Sequence, residues 1–152
     1  MTHWSDSLPA SACRSAVEWA RTQPDAATAW AVCERGDWML WIAGYCAGKP
    51  WSEERRPLVL AACACAELAL SLIEDENDLA VATSAVQTAQ AWAHGEATED
   101  DVMAASAAAY AAAAAASYAA AYAAAAAAAT LRTCAEIVRR HYPNPPKRQE
   151  PS

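Results

Sequence analysis

Alanine constrains this chain more than any other feature. Of its 152 residues 44 are alanine, and 21 of these fall between Ala104 and Ala129. Alanine loses no side-chain entropy in a helix and has the highest helix propensity. Leu, Ile and Val together number only 19, there is no Phe, and the formal net charge is −7. Values of that kind ordinarily indicate disorder. Seven Trp, five Tyr and six Cys argue the opposite, because disordered chains are poor in aromatics. With four glycines and only very short strand-like runs, collagen-like, linker-like and β-rich architectures are excluded. The sequence predicts an all-α protein, a single-domain helical bundle of about six helices over residues 1–143 that ends in a long Ala-rich helix. A Pro-rich flexible tail at 144–152 follows.

Local signals place the helices. Pro9 to Thr22 is the first, with Cys13, Ala16, Val17 and Ala20 on one face and Arg14–Glu18 as an i,i+4 pair. Gln23-Pro24 breaks it. Asp25 to Arg35 is the second, with Gly36 as its left-handed C′ residue. Asp37 reads as the N-cap of a third helix, Trp38 to Ala47, with Trp38, Trp41, Ile42 and Tyr45 as its core stripe. The fourth spans Glu53 to Glu74, with Pro57 marking either a kink or the true start. From Leu58 to Ile73 it is polar only at Glu67 and Ser71, which makes it the central helix. The fifth is Leu79 to His94, closed by Gly95. Thr98, followed by Glu99, Asp100 and Asp101, starts the last. No Gly or Pro follows until Pro143, so the pattern reads as one helix of about 65 Å at 1.5 Å per residue. Ser117 and Thr130 are the places where a break would fall, and Tyr110, Tyr118 and Tyr122 are expected to anchor the alanine packing.

Charge is unevenly placed. Between Arg56 and Arg132 there is no Lys or Arg, while Glu67, Glu74, Asp75, Glu76, Asp78, Glu96, Glu99, Asp100 and Asp101 lie in the same stretch. Phosphate contacts need a basic face, so direct nucleic-acid binding is not expected. An anionic membrane surface is disfavoured for the same reason. A basic protein is the partner such a field attracts. The N-terminus has no basic region followed by an apolar run, and the alanine run is too weakly apolar for a membrane span, so the expected location is the cytoplasm.

The six cysteines, Cys13, Cys33, Cys46, Cys63, Cys65 and Cys134, are expected to be buried free thiols. Cys63 and Cys65 form C-x-C on a helix and point about 200° apart, so they cannot grip one metal ion. His3, His94 and His141 occupy unrelated contexts, and no zinc-type spacing or Gly-rich phosphate loop is present. No metal, cofactor or catalytic residue is expected. Glu67, alone in an apolar helix, reads as a member of a thin exposed stripe with Leu60, Ala64 and Ser71.

Two segments carry a resemblance. Cys33-Glu34-Arg35-Gly36-Asp37-Trp38-Met39-Leu40-Trp41 is followed by Arg55-Arg56-Pro57-Leu58-Val59-Leu60-Ala61-Ala62-Cys63-Ala64-Cys65-Ala66. Together they resemble a family of immunity proteins from bacterial polymorphic toxin systems. Ala91-Trp92-Ala93-His94-Gly95-Glu96-Ala97, the Ala/aromatic helix and Ile137-Val138-Arg139-Arg140-His141-Tyr142-Pro143 fit the same pattern, with tyrosine in the long helix where the family pattern also has tryptophan. The likeness runs from about Trp30 to Pro143.

The resemblance implies a non-enzymatic protein that neutralises a cognate toxin by binding it, and it brings no catalytic residues. The acidic middle suits a basic toxin. The candidate partner-binding residues are Asp75, Glu76, Asp78, Glu96, Glu99, Asp100 and Asp101. Asp37, Arg35 and Arg56 read as structural, a cap and its charge partners. Two alternatives stand beside this reading. One is a small helical enzyme or ligand-binding protein with a pocket lined by Trp30, Trp38, Trp41 and Trp51. The other is a module that oligomerises through the alanine helix.

Overall fold

The computed structural model of the protein describes residues 2–104 and 124–148. It is an all-α helical bundle, with no strand among the described residues. A 3-10 turn at Trp4–Ser7 precedes α1 (Arg14–Arg21), α2 (Ala26–Val32) and α3 (Gly36–Cys46). A second 3-10 turn, Glu53–Arg55, leads into α4 (Arg56–Leu70) and α5 (Glu76–Ala93). Residues 99–104 are helical, and α6 (Ala124–His141) closes the bundle.

α4 lies in the middle. It packs along α5 on one side and along α6 on the other, and α3 crosses both α4 and α6. The core is made of small side chains and thiols around a few large ones. Trp30, Cys33, Met39, Ala61, Cys65, Cys134, Ala135 and Val138 form one buried cluster. Ala61 on α4 and Ala135 on α6 have no exposed surface, and side chains of that size let two helices approach closely. The expected geometry of C-x-C is realised. The Cys63 thiol points at the Val86 carbonyl of α5 (3.7 Å), and the Cys65 thiol points at the Cys134 carbonyl of α6 (3.8 Å).

Local capping signals account for several helix ends. Asp25 accepts the Thr28 amide at 2.7 Å and starts α2. Pro57 sits in the first turn of α4, where its missing N–H costs nothing; the helix therefore begins there and not at Glu53. Gly95, at φ 80°, ends α5 in a Schellman arrangement. Its amide donates to the Trp92 carbonyl (2.9 Å), and the Glu96 amide donates to the Ala91 carbonyl (2.8 Å). Thr98 and Asp101 form a reciprocal capping box at the start of the next helix.

Other expectations are corrected. The first helix starts at Arg14, because Pro9 to Ala12 forms a turn closed by the Ala12 amide on the Pro9 carbonyl. α2 stops at Val32, and Cys33 is extended. Its last carbonyls are taken by a distant cation: Arg139 of α6 donates to the Cys33 carbonyl (2.7 Å) and the Trp30 carbonyl (3.3 Å). The Trp30 indole N–H donates to the Tyr142 carbonyl at 2.7 Å. Gly36 is not a left-handed C′ residue. It begins α3, where its backbone rests on α6. A Cβ there would overlap the Cys134 Cβ and lie 2.7 Å from the Ala135 nitrogen. Asp37 is not the N-cap. It lies in the first turn and receives two hydrogen bonds from Arg35, at 2.8 and 2.6 Å. Arg56 pairs with Glu53 instead, at 3.7 Å.

Thr130 falls inside α6, so no break occurs there. Ser117, Tyr110, Tyr118 and Tyr122 lie outside the described residues, as does most of the alanine run. Residues 144–148 follow α6 as an irregular segment beside α3, with Pro145 and Pro146 half-buried. Among the described residues no helix is long and apolar enough to cross a membrane.

Two glycines of α3 make a matched test. Gly36→Ala forces helix against helix and is expected to lower stability by about 1–3 kcal/mol. Gly44→Ala places its methyl 3.7 Å from Leu58 Cδ2, an ordinary contact, and is expected to be neutral or to gain up to about 1 kcal/mol from helix propensity. Urea unfolding of both variants checks the ordering, and equal midpoints would contradict the packing described for α3 on α6.

Candidate binding site

α3 is apolar on two faces. Gly36, Met39 and Ala43 form the stripe that enters the core. Trp38, Trp41, Ile42 and Tyr45, the stripe that periodicity assigns to the core, lines a cleft. Trp41 is 41% exposed and Tyr45 40%. Both stripes have helical spacing; Trp38 and Ile42 stay half-buried against the core cluster, whereas Trp41 and Tyr45 turn outward.

The cleft has a volume of about 740 Å3. Three walls come from separate parts of the chain, and Ala26, Ala29 and Trp30 of α2 also line it. Leu8, Ala12, Ala16 and Trp19 contribute from the N-terminal segment and α1, and the aromatic stripe contributes from α3. Pro145, Pro146 and Arg148 form the third wall. Trp4 also lines it, its indole N–H held by the Gln23 carbonyl at 2.9 Å. Trp19 and Trp38 meet at 5.9 Å between ring centroids with a 53° tilt. Trp41 and Tyr45 lie nearly parallel, 5.9 Å apart at 18°.

Of the four indoles expected to line a pocket, Trp30, Trp38 and Trp41 do so. Trp51 does not. It packs edge-on against Trp92 at 5.3 Å, and its backbone is left-handed at φ 64°. Trp4, Trp19 and Tyr45 complete the aromatic lining. No local sequence signal singles out Trp19, because its pairing with Trp38 depends on tertiary packing.

Polar groups are few. The Arg35 guanidinium, tied to Asp37, stacks on Trp38 at 4.3 Å. The Arg148 guanidinium lies 5.3 Å over Tyr45. Cys13 also lines the cleft and is exposed, a correction to the expectation that the cysteines are buried. Its thiol sits 3.5 Å from the Ser15 hydroxyl at the start of α1. That hydroxyl, the Ala16 amide and the nearby Arg35 charge hold its pKa below the ordinary thiol value. Cys33, Cys63, Cys65 and Cys134 are buried, and Cys46 is half-buried. Burial, with the Glu67 charge adding to it, pushes the Cys63 thiol up to about 11. Burial and the Cys134 thiol raise Cys65 as well.

The acidic candidates lie elsewhere. Asp75 caps α5, accepting the amides of Asn77 (3.0 Å) and Asp78 (2.9 Å). Glu76 is exposed beside it and Asp78 is half-buried. Glu96, Glu99 and Asp100 are exposed beyond the other end of α5. Asp101 is committed to Thr98, whose amide and hydroxyl donate to it at 2.9 and 2.8 Å. An 18-residue helix separates the clusters by about 27 Å, so they are two patches and not one. Glu67 is exposed and accepts the Gln90 side-chain amide at 2.6 Å, which ties α4 to α5. Among the described residues no three His, Cys, Asp or Glu side chains are grouped to hold a metal ion.

These thiol environments set an order of reactivity. Iodoacetamide at neutral pH is expected to modify Cys13 first, with the buried thiols reacting only on unfolding. Thiolate is the nucleophile, so a lowered pKa moves the midpoint of the rate–pH curve below that of a free thiol. Peptide mass spectrometry reads the site; first modification elsewhere, or a midpoint at or above the ordinary value, would contradict the assignment. No family model, curated protein or solved structure matches the chain.

Proposed function

We propose that this chain is a binding protein, an immunity protein that neutralises a cognate bacterial toxin by direct association. The reading rests on the resemblance carried by the Cys33–Trp41 and Arg55–Ala66 segments. What supports it in the fold is where those segments fall. Cys33, Met39, Ala61 and Cys65 belong to the buried cluster, and Gly36 sets the approach of α3 to α6. The likeness is therefore one of framework, and the surface is left to choose the partner.

The observation that favours a basic toxin is the exposure of the acids. Asp75, Glu76, Glu96, Glu99, Asp100 and Asp101 are exposed, and no Lys or Arg falls between Arg56 and Arg132. Such a field raises the association rate with a basic partner and fades with salt. An interface of about 800 Å2 per partner spans roughly 30 Å, comparable to the separation of the two patches. The ligand-binding alternative has its own observation, the aromatic cleft, and uses a different surface, because no residue of α5 lines it. The oligomerisation alternative rests on an alanine run of which residues 105–123 lie outside those described.

Co-expression with the product of an adjacent gene that is toxic on its own tests the proposal. Growth is expected to be restored by this chain, and full toxicity in its presence would sink the reading. Charge reversal at Glu76, Glu99 and Asp100 spares the capping acids Asp75 and Asp101. It is expected to weaken the complex about tenfold, ~1.4 kcal/mol, mostly through a slower association rate at low salt.

A further inference from the structure

We infer that the cleft between α1 and α3 binds a small molecule with a flat apolar body and one anionic group, an aromatic carboxylate in chemical class. At about 740 Å3 it falls within the range of small-molecule sites, roughly 300–1,000 Å3. It also has their character, a mostly apolar lining with a few polar groups. Trp41 and Tyr45 present two nearly parallel rings that retain about two-fifths of their surface. A planar ligand can cover that surface by offset stacking.

The sign of the ligand follows from what already occupies the rings. Aromatic faces attract cations, but the chain supplies its own: Arg35 on Trp38 and Arg148 on Tyr45. A cationic ligand would have to displace a tethered guanidinium. Asp37 answers the Arg35 charge through two hydrogen bonds, whereas Arg148 makes no ion pair among the described residues. Arg35, Arg148 and Asp37 are the charged residues of the lining. The cleft thus carries +1 on a chain of net charge −7. A carboxylate placed at Arg148 gains a charge-assisted hydrogen bond, bidentate where both oxygens engage the guanidinium. The third wall argues for a small molecule over a polypeptide. Pro145 and Pro146 already lie where an extended proline-rich segment would dock on an aromatic groove.

The test uses the full chain and three probes of one shape: 2-naphthoate, neutral 2-naphthamide and cationic 2-naphthylmethyl-trimethylammonium. Calorimetry gives affinity, and the rate of Cys13 alkylation reports whether the cleft is filled. Naphthoate is expected to bind once per chain, at least fivefold tighter than the amide, with the ammonium probe weakest, and to slow Cys13 alkylation. Arg148→Gln, on the irregular segment after α6, is expected to bring naphthoate down to the affinity of the amide and leave the amide unchanged. Trp41→Leu is expected to weaken both. Amide or ammonium binding as tight as naphthoate would overturn the inference. So would naphthoate binding that leaves Cys13 alkylation unaltered or is indifferent to Arg148→Gln, or the absence of saturable binding.

Discussion

The contact that positions everything else is the backbone of α3 resting on α6 at Gly36. No side chain separates the two helices there, since even a methyl group would overlap Cys134. With the start of α3 fixed against α6, its rotation decides which of two apolar stripes is buried. Met39 and Ala43 are buried, Trp38 and Ile42 stay half-buried against the core cluster, and Trp41 and Tyr45 turn outward to the cleft. The core and the cleft are therefore two consequences of one close approach.

A core made this way gains little per residue. Alanine and cysteine remove small areas from water, and hydrophobic stabilisation is roughly proportional to area. The bundle offsets this with polar clasps. Arg139 reaches from α6 to the carbonyls that end α2, and Trp30 donates to the Tyr142 carbonyl. Hydrogen bonds from a charged donor contribute more than neutral ones, about 1.5–3 kcal/mol. The same guanidinium faces the negative end of the α2 dipole. Helix α2 has only seven residues, too few to persist alone. It is held in place by residues more than a hundred positions away in sequence.

Features whose cause lies within a few residues were legible in the sequence. Asp25, Pro57, Gly95 and Thr98 act on their own helix ends, and the structure places them as their local chemistry requires. So was the opposed direction of Cys63 and Cys65, which follows from helix geometry alone. Gly36 was misread because a glycine after a helical stretch has a local explanation, the C′ position. Its true reason, contact with Cys134, lies almost a hundred residues further along the chain. The stripes of α3 were ambiguous for a similar cause: two sets of apolar residues satisfy the same period, and only the neighbour decides between them. The cleft was legible in part, through Trp30, Trp38 and Trp41, but not as a whole, because its walls come from the N-terminal segment, α1, α2, α3 and residues 145–148. The acids were legible as charge, but as caps Asp75 and Asp101 are occupied by their own helices.

A chain of net charge −7 is an unpromising host for an anion until distance is considered. Coulomb interactions between exposed groups are screened over about 8 Å at physiological ionic strength. The acids flanking α5 lie on elements that do not line the cleft. Their field acts on partners approaching α5 and is screened before it reaches a cleft to which α5 contributes no residue. What a ligand meets in the cleft is the local set: Arg35 already paired with Asp37, and Arg148 held over Tyr45 with no carboxylate partner among the described residues. A carboxylate does not have to remove Arg148 from its ring, because the planar guanidinium can keep one face on Tyr45 and offer its N–H edge outward. Overall charge and local site charge can thus differ in sign, and each selects its own kind of partner.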